Sequence, residues 1–356
     1  METPIGAIYT SNITPDTHYG IGNYSLSDFD RALRFGVASG HTLYPAMPYS
    51  AYSRITPDDV AALYAYFMKG VAPAKVSQRE NEIPFPLSMR WPLTVWRWVF
   101  APTPQPFTSD DQFLRRGQYL VEGLGHCGDC HTPRNAGLQV KSLTASDGPD
   151  FLSGAMIDGW HAPSLRHGDA STIGAWSVED IARFLRTGSN KHGIAFASMN
   201  EVIANSTQFL TASDATAVAH FLKSLTDAKA AGAFVYDATT ARALRNGDAG
   251  KPGAMLYLDN CAACHRPDGK GYEGVFPALA GNPVVNAAPA DSVIRIVLEG
   301  MRTARTDSTP AQFTMPAFAQ RLSDEDVAEI ATFVRSSWGN KAPAVDAATV
   351  AHLRRQ

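Results

Sequence analysis

Cys127-Gly-Asp-Cys130-His131 and Cys261-Ala-Ala-Cys264-His265 decide the reading of this 356-residue chain. Cys-x-x-Cys-His is the attachment signature of c-type haem. Two thiols one helical turn apart reach the two vinyl groups of one porphyrin and become thioethers. The adjacent histidine then lies under the iron as its proximal ligand. The chain has four cysteines, and the two motifs use all of them. A redox pair would not need the following histidine, and a zinc site could take all four thiolates. Chance clustering would leave cysteines elsewhere. The repeated pentapeptide therefore predicts two covalent haems, one on Cys127, Cys130 and His131 and one on Cys261, Cys264 and His265.

Outward from the motifs the chain repeats itself. Three stretches run helix, glycine stop, methionine loop, helix. The first is Tyr24 to Gly36, a loop through Met47, then Thr56 to Phe67. The second is Trp176 to Gly188, a loop to Met199, then a helix through Val218, Phe221, Leu222 and Leu225. The third is Val293 to Gly300, a loop to Met315, then Ser323 to Val334. Helix starts are marked by Ser25-x-x-Asp28, Thr56-x-x-Asp59, Ser177-x-x-Asp180 and Ser323-x-x-Asp326. In such starts a hydroxyl accepts from orphan amides while the acid sits at the positive end of the helix dipole. Val60, Leu63, Tyr64 and Phe67 follow the helical apolar spacing. Gly117 and Gly253 precede the first cysteine of their motifs on leading helices, where a missing side chain lets two helices cross at close range.

Each methionine loop offers a thioether, which suits iron opposite a histidine and raises its potential. Met199 follows His131 and Met315 follows His265, each between the glycine stop and the last helix. A methionine is ordinarily core filler, but recurrence in three repeats selects Met199 and Met315 as distal ligands. Met156 and His192 remain alternatives to Met199 in the same unit. Pro163 and Pro277-Ala-Leu-Ala-Gly-Asn282 stand where a haem edge is covered and a carbonyl can orient the proximal histidine. His126, His161 and His220 read most simply as surface or capping histidines.

Composition bounds the function. Apolar content of 45% and charged content of 18% belong to a folded globular chain. A net charge of −3 argues against nucleic acid as partner, since phosphate binding needs a basic face. No run of about 18 apolar residues suggests a spanning helix. No dinucleotide fingerprint, hydrolase elbow or carboxylate pair in catalytic context occurs. Between the first and second units, Pro73, Pro84, Pro86, Pro92, Pro102, Pro104 and Pro106 argue against a long regular element. Trp91, Trp96 and Trp98 lie there, half of the chain's tryptophans. They read as a strap across the domain surface, with a partner or membrane contact as the other reading. The tail after Trp338 is either a short docking helix or disordered.

At this point the residues resemble a known family. The matching stretches are Asn12-Ile-Thr-Pro-Asp16, Leu43-Tyr-Pro-Ala-Met47-Pro-Tyr49, Gly125 to Asn135, Gly159-Trp-His-Ala-Pro-Ser-Leu165, Cys261 to Gly271 and Pro277 to Asn282. They resemble the multihaem cytochrome c subunit of bacterial membrane-bound dehydrogenases for alcohols, gluconate and fructose. The resemblance implies a mainly α-helical chain of tandem class-I-type cytochrome c domains. Residues 1–70 would be a domain lacking its haem motif and 71–109 a linker rich in proline and tryptophan. Residues 110–226 and 250–340 would be haem domains, 227–249 a second linker and 341–356 a tail. The family's first haem motif precedes the Asn-Ile-Thr-Pro segment, so Met47 would face a haem whose attachment motif this sequence does not contain. Met1-Glu-Thr-Pro-Ile has no signal-peptide pattern. The expectation is that the DNA upstream encodes, in frame, a signal peptide and a third Cys-x-x-Cys-His.

The resemblance further implies electron relay from a dehydrogenase catalytic subunit, carrying a flavin or quinone cofactor, to membrane ubiquinone. The site would be the periplasmic side of the bacterial inner membrane, at the membrane surface. A dihaem peroxidase-like enzyme and a soluble periplasmic dihaem carrier are the rival readings; the first needs an iron that is open or readily vacated.

Overall fold

The hydroxyl starts read from the sequence become helix caps. In the computed structural model, which describes all residues except 1, 4, 39, 102–108, 167, 169–171, 174, 175 and 226–233, Ser25 opens α1 (Leu26–Phe35). Its hydroxyl accepts from the Asp28 amide while the Asp28 carboxylate accepts from the Ser25 amide. A single turn, α2 (Tyr49–Tyr52), leads to α3 (Pro57–Lys69), where Thr56 accepts from the Asp59 amide. The Asp59 carboxylate does not return to the cap; it accepts from the hydroxyl of Tyr119 in the next unit. The same reciprocal box as at Ser25 recurs at Ser177 and Ser323.

Between these starts, α4 (Trp91–Phe100) occupies the proline-rich linker. The prolines predict no long element there, yet Pro92 falls in the first turn, where a missing amide costs nothing. Trp96 packs edge-on to Tyr49 and donates its Nε1–H to Gly137 O at 2.8 Å, strapping the linker across both neighbours. Trp91 and Trp98 instead point outward, 67% and 82% exposed. Pro102, Pro104, Pro106 and the start of the 227–249 linker lie outside the described residues.

The second unit holds α5 (Gln112–Tyr119), α6 (Gly128–His131), α7 (Val178–Thr187), α8 (Ser198–Asn205) and α9 (Ala212–Ser224). The third holds α10 (Thr239–Arg245), α11 (Ala254–Asn260), α12 (Ala262–His265), α13 (Pro283–Asn286), α14 (Asp291–Glu299), α15 (Asp324–Arg335) and α16 (Ala347–Arg354). Among the described residues, strands are confined to short antiparallel hairpins: β1–β2 (Glu2–Thr3, Gly6–Ala7), β3–β4 (Val37–Ala38, His41–Thr42), β5–β6 (Ala155–Ile157, Trp160–Ala162), β7–β8 (Ser189–Asn190, Gly193–Ile194) and β9–β10 (Met301–Arg302, Thr314–Met315). Three of these hairpins fill the glycine-to-methionine segments that read as plain loops in the sequence.

Among the described residues each repeat has a core of its own, Leu124 packing against both the first and the second. Phe29, Ile55 and Val60 pack with Leu63, Tyr64 and Phe67 in the first. Val121, Phe151, Leu152, Ile181, Phe221 and Leu222 form the second, and Tyr257, Ile294, Ile330, Phe333 and Trp338 the third. In the second unit α5 and α9 cross at a glycine, and in the third the glycine that opens α11 meets α15. A methyl group on Gly117 would stand 2.1 Å from Ala217 O, and one on Gly253 would stand 2.4 Å from Glu329 O. Backbone-to-backbone contact at these points fixes how the leading helix enters each cysteine motif.

The first core is joined to the second by a buried ion pair. Glu122, fully inside, meets Arg54 at 3.2 Å and accepts from the Ala145 amide at 2.9 Å. The tail is a docked helix: Val350 and Leu353 of α16 are buried, and Arg354 Nε meets Asp324 at 2.7 Å.

Candidate haem sites

In the second unit α5 runs into a π-helical turn over 120–124, and α6 then carries Cys127, as its cap, and Cys130 on one turn. His131 closes that turn, and its Nδ1 lies 2.7 Å from Pro163 O. In the third unit α11 leads to α12, and His265 Nδ1 lies 3.0 Å from Pro277 O. A carbonyl only accepts, so each Nδ1 carries the proton and each Nε2 keeps a free lone pair. Burial holds both imidazoles below their ordinary pKa, the backbone carbonyl pulling the other way. Neutral, oriented imidazole is the metal-ligating form. The two prolines picked out in the sequence thus do orient the two histidines.

The cysteines are all unpaired. Burial pushes the Cys127 and Cys261 thiols up to about 12, and Cys130 is raised by burial as well. As free groups these thiols stay protonated. Among the described residues, no group of three or more His, Cys, Asp or Glu side chains is placed to share a metal ion. A thioether needs no ionised sulfur once formed, and it buries without a charge.

The third unit brings its predicted residues to one place. Cys261, Cys264, His265 and Met315 line a single cavity of about 170 Å³. That is far more than the roughly 15 Å³ that admits one water. Its walls are otherwise mostly apolar, with Phe276, Leu279, Val297, Phe313 and Ile330 among them. Met315 sits on β10, held against Met301 of β9, on the segment that follows the Gly300 stop. Two thiols on one turn, a lone pair on a histidine, a thioether and an apolar enclosure are the donor set and the setting that c-type haem takes. The residues present fit the group.

In the second unit Met199 lies in the first turn of α8 and not in a loop. It packs against Ala195 and Ile203 and against Ala304 of the third unit. Met156 is exposed on β5, and His192 stacks on Trp176 at 5.4 Å with its Nε2 3.1 Å from Asp180. Met47 is half-buried between β4 and α2. Of the histidines read as surface or capping groups, His126 stands 3.4 Å from Asp129 and His220 meets the Phe113 ring edge-on. His161 is half-buried: its amide donates to Ser292 Oγ of α14 at 2.8 Å. It belongs to a contact between units, which no local sequence signal announces.

Sequence reasoning also missed Ile194 and Phe196, second-unit residues in the wall of the third unit's cavity. Their one local signal was proximity to Met199.

A family model described as cytochrome c matches residues 250–338. The chain is 49% identical to the gluconate 2-dehydrogenase cytochrome c subunit of Pantoea cypripedii, over 100% of this chain and 82% of the relative. It is 47% identical to the cytochrome c subunit of alcohol dehydrogenase (quinone) from Komagataeibacter europaeus, over 99% of this chain and 77% of the relative. With the fructose dehydrogenase cytochrome subunit of Gluconobacter japonicus the identity is 37%, over 99% and 76%.

Proposed function

The chain belongs to the family of cytochrome c subunits of alcohol, gluconate and fructose dehydrogenases, and on that premise we propose that it relays electrons from a partner dehydrogenase subunit to membrane ubiquinone. Two covalent haems, in tandem cytochrome c domains on the periplasmic side of the inner membrane, carry the relay. One observation supports this most: Cys261, Cys264, His265 and Met315 share one largely apolar cavity.

Bound haem supplies a one-electron couple. The chain's own residues set its terms. His131 and His265 would hold the iron through Nε2, their Nδ1–H groups staying on Pro163 O and Pro277 O. That bond fixes each ring's orientation and leaves no proton to move with the electron. Met315 and Met199 would add thioether sulfur, which favours the ferrous state, and the apolar walls of the third unit's cavity would keep water off.

Pyridine haemochrome on the exported protein should count two acid-stable haems, and Cys127→Ala with Cys130→Ala should halve the count. Retention of both haems in that variant refutes the assignment. The peroxidase-like reading needs an iron open to ligands. Carbon monoxide should therefore leave the reduced protein unchanged and bind after Met315→Ala, with a fall in potential. Binding to the unaltered protein at both irons would favour the enzyme.

The outer face of α4 supports the membrane contact. Trp91, Val95, Trp98 and Val99 form one exposed helical stripe. The stretch 83–100 holds Arg90 and Arg97 and no carboxylate. An exposed aromatic stripe without carboxylates matches a bilayer interface.

A further inference from the structure

The cavity that gathers Cys261, Cys264, His265 and Met315 is not built by the third unit alone. Phe196 and Ile194, from the β7–β8 hairpin and the residues after it, form part of its wall. Phe196 stands three residues before Met199, whose amide donates to Phe196 O at 3.1 Å. One side chain therefore belongs to the distal segment of the second haem unit and to the enclosure of the third.

Its surroundings reach the proximal side as well. The Phe196 ring packs against Trp160 with centroids 5.7 Å apart. Trp160 begins β6, whose chain continues to Pro163, the acceptor of His131 Nδ1. Arg295 of α14 lies over the other partner of that pair, 5.9 Å from the Trp160 ring. Polar bonds hold the two units in this register. His161 N donates to Ser292 Oγ, Asn282 Nδ2 donates to His192 O at 3.2 Å, and Asn200 Nδ2 donates to Arg302 O at 2.7 Å. Asn282 also caps α13, a few residues beyond the Pro277 carbonyl that holds His265.

We propose that Phe196 is a positioning residue of the third unit's haem site supplied by the second unit, and that electrons pass between the two haems across the Phe196–Trp160 wall. The proposal rests on both motifs holding haem. The exchange moves one electron from a ferrous to a ferric iron, with no proton and no bond made or broken. Two consequences follow from the geometry. An apolar ring that shuts water from the third unit's cavity disfavours the more charged ferric state and raises that potential. The Phe196–Trp160 ring pair would also keep solvent out of the gap that the electron crosses.

The test uses the full chain with both haems, carrying Phe196→Ala or Phe196→Leu. Met315→Ala in parallel tells the two haems apart by shifting one of them. Haem is counted first: a wild-type chain without two covalent haems refutes the haem reading and this proposal with it. With the count intact, Phe196→Ala should lower the third-unit potential and slow flash-initiated exchange between the haems several-fold. Phe196→Leu, which keeps apolar cover but loses the ring pair, should restore the potential and still exchange more slowly than wild type. An unchanged third-unit potential in Phe196→Ala, or a shift confined to the second-unit haem, overturns the proposal. If the alanine variant loses haem, an exchange rate in Phe196→Leu equal to wild type overturns it.

Discussion

Gly117→Ala tests how the second unit is held together. By helix propensity alone the change should stabilise α5 by about 1 kcal/mol, since alanine orders more cheaply than glycine. The tertiary contact opposes it. The new methyl would stand 2.1 Å from Ala217 O and 2.8 Å from Phe221 Cβ, so α5 and α9 must separate by roughly 1 Å. The nearest atom is backbone, which cannot swing aside as a side chain would. Overpacking of this kind costs about 1–3 kcal/mol, and loosened contacts of Val218, Phe221 and Leu222 add to it. A net loss of about 2 kcal/mol is expected, or a fall of roughly 5–10 °C in the unit's Tm. Gly123→Ala is the control, because its nearest neighbours lie 3.9 Å away. That change should be neutral or slightly stabilising. Thermal unfolding by circular dichroism gives the magnitude, and hydrogen exchange should place the loss in 112–124 and 212–224. If Gly117→Ala is as stable as wild type, or Gly123→Ala is equally harmful, the close-crossing argument fails.

Asp214→Asn should remove the two-pronged clamp that Arg116 makes between α5 and α9, at 2.7 and 3.1 Å. The pair is partly exposed, so about 0.5–1 kcal/mol is expected. The Arg116 hydrogen bond holds the Asp214 carboxyl below its ordinary 3.8. Its contribution is therefore present above that value and lost as pH falls through the lower folded value. A wild-type-minus-variant difference in urea unfolding that stays flat from about pH 7 to about pH 2.5 would contradict this. Trp91→Ser with Trp98→Ser should abolish flotation of the protein with anionic vesicles. Equal flotation would exclude the α4 stripe as the membrane contact. Loss of a co-purifying dehydrogenase without any vesicle binding by wild type would make it a protein contact.

The turn that gathers each cysteine pair with its histidine was legible in sequence because it is local. Two thiols and a histidine must lie on one helical turn, and the pentapeptide guarantees that by itself. Caps were legible for the same reason: Ser25, Ser177 and Ser323 each bond to a residue three places on. At Thr56 the pattern was the same and the outcome differed. Asp59 had a distant competitor, the Tyr119 hydroxyl, which only folding brings near. Gly117 and Gly253 could be picked out, but the 2.1 and 2.4 Å approaches that make them indispensable exist only where two helices cross. The strap and the exposed stripe of α4 had one composition, and only the side on which each tryptophan fell separated Trp96 from Trp98. Phe196 marks the far limit. No periodicity, motif or charge pattern ties it to Cys261, because a wall shared between units is a relation between surfaces, and surfaces meet only after each unit has packed its own core.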